Sequence, residues 1–96
     1  MTKEEILTFL RDKKEFLAEN YGVLSIGLFG SYARDGARED SDIDIAVEMK
    51  NEHKFMNFFK LKYYLEEQFK KHVDIGIEST LKPIAKEYID KDIIYA

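Results

Sequence analysis

At 96 residues, 45% hydrophobic and 14% aromatic, the chain has apolar mass for one core and too little length for two, so 1–96 reads as a single domain. It contains no cysteine, which excludes disulfides, thiolate nucleophiles and cysteine-based zinc sites. A formal charge of −4 argues against gripping nucleic acid by charge, no apolar stretch is long enough for a membrane span, and "TKEEIL" after Met1 is a charged helix start rather than a signal peptide; a cytoplasmic protein is expected.

Thr2 and Glu5 have the spacing of a capping box. Ile6, Leu7, Phe9, Leu10, Phe16 and Leu17 then recur at helical spacing, predicting one helix to about Glu19, ended by "NYG". "VLSIGLF", Val23 to Phe29, is short and rich in β-branched and aromatic residues, which predicts a strand. A loop with room for one helical turn follows, and "IDIAVEM" from Ile43 is a second strand. From about Glu52 to Lys70, Phe55, Phe58, Phe59, Leu61 or Tyr63, Leu65 and Phe69 return to helical spacing. The clustered phenylalanines there are expected to cover the sheet rather than to form a docking face. "HVDIGIE" alternates, with Val73, Ile75 and Ile77 on one face and Asp74 and Gly76 on the other. Pro83 is placed near the start of a last helix carrying Ile84, Ala85, Tyr88 and Ile89, where its fixed φ is at home. The order α-β-β-α-β-α describes an α/β (α+β) fold, a small mixed sheet with helices packed on it.

Side chains alternate along a strand, so Asp42 and Asp44 point one way while Ile43 and Ile45 point into the core. Asp74 is the polar exception in "VDIGI". If its strand lies beside that of Asp44, three carboxylates converge. At 4 Å each pair of charges repels by about 4 kcal/mol with an effective dielectric of 20, and no basic residue is placed beside them on those strands. A divalent cation is the natural counter-charge, and all-oxygen ligands favour Mg²⁺ or Mn²⁺ over zinc. Gly30 and Ser31 end the first strand where the chain must turn; glycine admits a ligand close to the backbone, and Ser31 adds a hydroxyl and an N–H. Each piece taken singly has an ordinary structural reading: a Gly-Ser turn, a solvated strand end at Asp42 and Asp44, an exposed edge at Asp74, and surface arginines at Arg34 and Arg38. The combination in one order instead describes a site for phosphoryl or nucleotidyl transfer.

"FGSYAR", "SDIDIAV" and "VDIGI", with "LKP", "YIDKD" and "IIYA" in the tail, resemble the nucleotidyltransferase superfamily of DNA polymerase β, and more closely its minimal nucleotidyltransferase branch found beside HEPN-domain proteins. The resemblance covers nearly the whole chain. It departs at Asp35, where the family often has a glycine after Ala-Arg and this chain has Gly36 one step later. It implies the polymerase β-like fold, Gly30 and Ser31 at the triphosphate of ATP, Asp42 and Asp44 as Mg²⁺ ligands, and Asp74 completing the site of a second ion. Arg34 is a further phosphate contact under this reading, and Ser41 shapes the turn before Asp42. The implied activity is that of an antitoxin moving AMP from ATP to a tyrosine of a helical HEPN-type toxin, in a hetero-oligomer or with further copies of itself. The competing readings are a non-catalytic module that neutralises a helical partner by contact, and nucleotidyl transfer to a small molecule or an RNA end.

Overall fold

In the computed structural model, which describes residues 1–96, the Thr2 hydroxyl accepts the Glu5 N–H at 3.2 Å and the Glu5 carboxylate accepts the Thr2 N–H at 2.9 Å. This closed capping box starts α1 (Lys3–Asp12). The single first helix expected from periodicity is in fact two, because the backbone leaves helical geometry at Lys13 (φ −97°, ψ 7°) before α2 (Lys14–Tyr21) begins. Ile6, Leu7 and Leu10 on α1 and Leu17 on α2 are all buried in one core. Gly22, at φ 68°, closes α2 in the left-handed conformation that glycine adopts without a Cβ clash.

Two strands follow with the bounds their composition predicts, β1 (Val23–Phe29) and β2 (Ile43–Met49), separated by the short helix α3 (Gly30–Ala33). Then come α4 (Lys54–Phe69), β3 (Val73–Ile77), α5 (Glu78–Asp92) and β4 (Ile94–Tyr95). The sheet order is β3-β2-β1-β4. β1 runs antiparallel to β2, while β2 and β3 are parallel and therefore joined by a crossover through α4. The two-residue β4, which local periodicity does not reveal, pairs Tyr95 with Gly27 and Ile94 with Leu28 on the outer edge of β1.

The last helix corrects the reading of Pro83. It begins at Glu78, so that Pro83 lies inside the helix rather than near its start, and it bends at Ala85 (φ −123°, ψ 27°). Proline has no N–H to give to the carbonyl four residues back, which is the physical origin of such a bend. Its first turn is held instead by Glu48 on β2, whose carboxylate accepts the Ser79 N–H. A carboxylate suits that end of a helix, where N–H groups lack partners.

The two faces of the sheet differ. On one, Ile26, Leu28, Ile43, Ile45, Val47, Met49 and Val73 join Ile6, Leu10, Leu17, Leu61, Leu65 and Phe69 in the main core under α1, α2 and α4. A chain of rings, Phe9 with Phe69 at 5.1 Å and Phe16 and Tyr21 with Tyr64 at 5.3 and 5.6 Å, ties these helices together. On the other face, strand register aligns Gly27 with Ala46 and Ala46 with Gly76. This row of small residues seats the C-terminal segment: a Cβ on Gly76 would lie 2.6 Å from Leu81, and one on Gly27 would lie 2.8 Å from Ile93. Ala46 and Ile89 are buried there.

Of the phenylalanines at the start of α4 expected to cover the sheet, Phe58 is partly buried against the main core, while Phe55 and Phe59 stand out from it. Phe55 is 80% exposed and Phe59 42% exposed, and with Phe58, Lys54 and Ile77 they line a shallow groove. The buried stripe of α4 runs through Leu61, Leu65 and Phe69, the four-residue spacing of one helix face, and Phe59 lies off it. No helix is long and apolar enough to cross a membrane.

Candidate active site

The row next to the small one on the same face carries the acidic residues. Phe29 stands opposite Asp44, and Asp44 stands opposite Asp74 across the parallel β2–β3 pair. Ile43 and Ile45 are completely buried, so Asp42 and Asp44 turn to the opposite side, as alternation requires. The structure thus brings Asp42, Asp44 and Asp74 together. It is the register that does so, since a slip of one residue would send Asp74 to the core face.

The three carboxylates are not equivalent. Asp44 is half-buried while Asp42 and Asp74 are exposed. Loss of solvent, then the charges of Asp74 and Asp42, push the Asp44 carboxyl up to about 6, against a smaller opposing pull from Arg34. A carboxyl raised this way marks a place where negative charge is crowded, which is also what makes a cation welcome.

Gly30 forms the wall of this site. It sits at φ 76°, and a Cβ there would overlap the Asp44 carboxylate. Only glycine both adopts the left-handed turn and leaves that carboxylate its place. Ser31 follows in the single turn of α3, with its carbonyl accepting the Gly36 N–H at 2.9 Å. The neighbouring Tyr32 is buried against the main core and pins the turn.

Arg34 at the end of that turn donates to Asp92 on α5 at 2.7 Å. The Asp92 side chain is only 8% exposed, so this ion pair fastens the site loop to the last helix while its charge still reaches Asp44. Asp35, where a glycine was the commoner residue, takes φ 59°; the left-handed conformation a glycine would supply is kept here by an aspartate, which tolerates it better than most residues. Lys3 bonds its carboxylate at 3.0 Å. Ser41 closes the turn before Asp42 from both sides, its hydroxyl accepting the Arg38 N–H at 2.8 Å and its own N–H bonding the Arg38 carbonyl at 3.0 Å.

One residue of the cluster escaped the reading of the sequence. His72 lies beside the carboxylates, its Nδ1 3.3 Å from Asp42 Oδ2 and 3.6 Å from Asp74 Oδ1. A basic residue does therefore stand next to them. The signal was present, because His72 and Asp74 are two residues apart in extended chain and share a face for the same reason as Asp42 and Asp44. One ligand atom from each of Asp42, His72 and Asp74 can be chosen so that all lie within 4.8 Å of one another.

A family model described as a nucleotidyltransferase domain matches residues 10–96. The chain is 38% identical over 95 residues to the protein adenylyltransferase MntA of Thermococcus cleftensis, a match covering 99% of this chain and 96% of that one. It is 43% identical over 95 residues to a protein adenylyltransferase candidate of Methanocaldococcus jannaschii, covering 98% of this chain and 97% of that one. A solved structure of a minimal nucleotidyltransferase candidate superposes with a TM-score of 0.74 at 32% identity, over 98% of this chain and 95% of the other. The fold also recurs in a crystal structure of a toxin–antitoxin with AMP-PNP, with a TM-score of 0.66 at 23% identity over 99% of this chain and 72% of that one.

Proposed function

Because the chain belongs to the nucleotidyltransferase domain family and is a nucleotidyltransferase, we propose that it moves AMP from ATP to a tyrosine hydroxyl of a HEPN-type toxin, as an antitoxin. The observation that carries the transfer chemistry is the aligned row of Asp44 and Asp74, with Asp42 on the same face, walled by a glycine whose missing Cβ leaves room for the Asp44 carboxylate. The choice of AMP and of a protein acceptor follows the relative named a protein adenylyltransferase. The partner follows the toxin–antitoxin of the same fold, where the nucleotide is an ATP analogue. The HEPN type and the tyrosine follow the family resemblance.

The donor set fits hard divalent cations, since Asp42, Asp44 and Asp74 offer carboxylate oxygens on one face and the crowding at Asp44 is relieved by positive charge. Two Mg²⁺ ions, when bound, would acidify the acceptor hydroxyl and offset charge on the leaving pyrophosphate. Gly30 and Ser31 present backbone and hydroxyl to the triphosphate, and Arg34 adds positive charge at the end of the same turn. Ser41 holds the loop so that Asp42 enters the strand on the side of Asp44. The tyrosine oxygen bonds to the α-phosphorus as the bond to pyrophosphate breaks, and Asp74, the most open acceptor on β3, takes the hydroxyl proton.

The test incubates the chain with Mg²⁺, labelled ATP and the product of the neighbouring gene. Label is expected on a tyrosine of that product, and it is lost with Asp42→Asn/Asp44→Asn. If no label transfers and the double variant still neutralises the partner, the chain acts by contact alone. Label on RNA ends or small alcohols instead would move the acceptor out of the protein class.

A further inference from the structure

His72 stands where a ligand to the proposed cation would stand. Its Nδ1 faces two carboxylate oxygens from different strands, at 3.3 Å from Asp42 and 3.6 Å from Asp74. Two ligands on adjacent corners of an octahedron with bonds of about 2.1 Å are separated by roughly 3 Å. The observed spacings are close to that, so a small inward movement of exposed side chains would bring the three donors to one ion.

The other ring nitrogen points to a carboxylate that is itself held in place. Nε2 lies 3.8 Å from Glu66 Oε2. That oxygen accepts the Lys62 ammonium at 2.8 Å and the Val73 N–H at 3.0 Å. The Nδ1 side of the ring thus faces Asp42 and Asp74 while the Nε2 side faces a fixed carboxylate. Carboxylate behind imidazole is the arrangement that orients ligating histidines.

We propose that His72 is a metal ligand of this centre, joining Asp42 and Asp74 in an oxygen–nitrogen set that biases the chain toward Mn²⁺ and other first-row divalent cations relative to Mg²⁺. The inference rests on the reading of the acidic row as a cation site. Mg²⁺ is held by oxygen and gives up its waters reluctantly, whereas imidazole is an ordinary ligand for transition metals. Glu66 is then a positioning residue, acting through His72.

The experiment titrates the full chain with Mn²⁺ alone and reads nitrogen coupling to the bound ion by pulsed electron paramagnetic resonance, with Mn²⁺ and Mg²⁺ affinities from calorimetry. The wild type should show one directly bound nitrogen. His72→Gln should remove that coupling and weaken Mn²⁺ by about tenfold, while Mg²⁺ affinity changes by less than about threefold. Glu66→Gln should keep the nitrogen but alter its coupling. The His72 side chain is half exposed, so these variants should fold, which a thermal melt verifies. An oxygen-only Mn²⁺ centre that Asp42→Asn/Asp74→Asn weakens would overturn the role of His72 and leave the acidic site standing. Absence of any Mn²⁺ binding sensitive to those aspartates would overturn both.

Discussion

The two faces of the sheet use one strand period for opposite ends. On the core face, each row sets bulk against bulk: Leu28, Ile45 and Ile75 in one, Ile26, Val47 and Ile77 in the next. On the other face, the matching rows are Gly27, Ala46 and Gly76, then Phe29, Asp44 and Asp74. The first row is small enough to let α5 and the segment after it lie close; the second gathers charge. The core face stabilises the sheet that the second face stresses. The buried strand residues Ile43 and Ile45 and the half-buried Asp44 between them are neighbours in sequence, so stability and function are separated by direction rather than by distance.

Substitutions can split this pairing. The largest effect is expected at the acidic row: Asp44→Asn should lower nucleotidyl transfer by a factor of roughly 10² to 10³ or more, as when a group that stabilises transition-state charge is removed. Its circular dichroism should be unchanged. Loss of structure along with activity would mean that the two faces are not separable.

Ile45→Ala is the mirror experiment. Emptying a fully buried site should cost about 3 kcal/mol in urea unfolding, while the folded fraction keeps its transfer rate. An equal fall in rate per folded molecule would show that the core face tunes the site directly.

The stress at Asp44 should be visible as pH dependence of the metal-free chain. Its folded carboxyl titrates at about 6 rather than 3.8, so the native state holds this proton more tightly than the unfolded chain. Stability therefore falls as pH rises from about 4 through about 6 and stays lower above that, the contribution being absent below both values. Asp44→Asn should remove this loss, raising metal-free stability at pH 7.5 by about 1–2 kcal/mol after allowance for solvent screening at a half-exposed group. Chemical denaturation of both proteins at pH 4 and 7.5 checks it, and Mg²⁺ should narrow the difference.

The smallest effect belongs to the row of small residues. Gly76→Ala would press a methyl against Leu81, the end of a side chain that can yield, and should cost about 1 kcal/mol. Gly30→Ala is the informative contrast, because there the obstacle is a carboxylate of the site and the φ is positive. It should reduce transfer more than it reduces the melting temperature.

Local pattern was sufficient for much of this. β1 and β2 begin and end where composition changes, and the spacing of Asp42 and Asp44 states their common face. The capping box at Thr2 was readable because both partners are three residues apart. His72 obeys the same two-residue rule as the aspartates, heading the alternating "HVDIGIE", but its approach to Asp42 depends on the parallel pairing of β2 with β3. By contrast, the start of α5 ahead of Pro83 depends on a contact with the sheet, the Ser79 N–H held by Glu48. The exposure of Phe55 and Phe59 depends on the sheet too: helical spacing identifies a stripe but not how far the sheet extends beneath it.

The sequence by itself determined which residues form β1, β2 and β3, which way each aspartate faces relative to its apolar neighbours, and that a glycine turn precedes them. These are consequences of backbone geometry within a few residues. Only the tertiary structure decided that Asp44 lies opposite Asp74, that His72 closes on Asp42, that Arg34 is held by Asp92, and that Ile94 and Tyr95 become a fourth strand. Each of these joins segments far apart in the chain, and which of them meet is set by the register and burial of the whole sheet, in which one face must hide its bulk before the other can gather its charge.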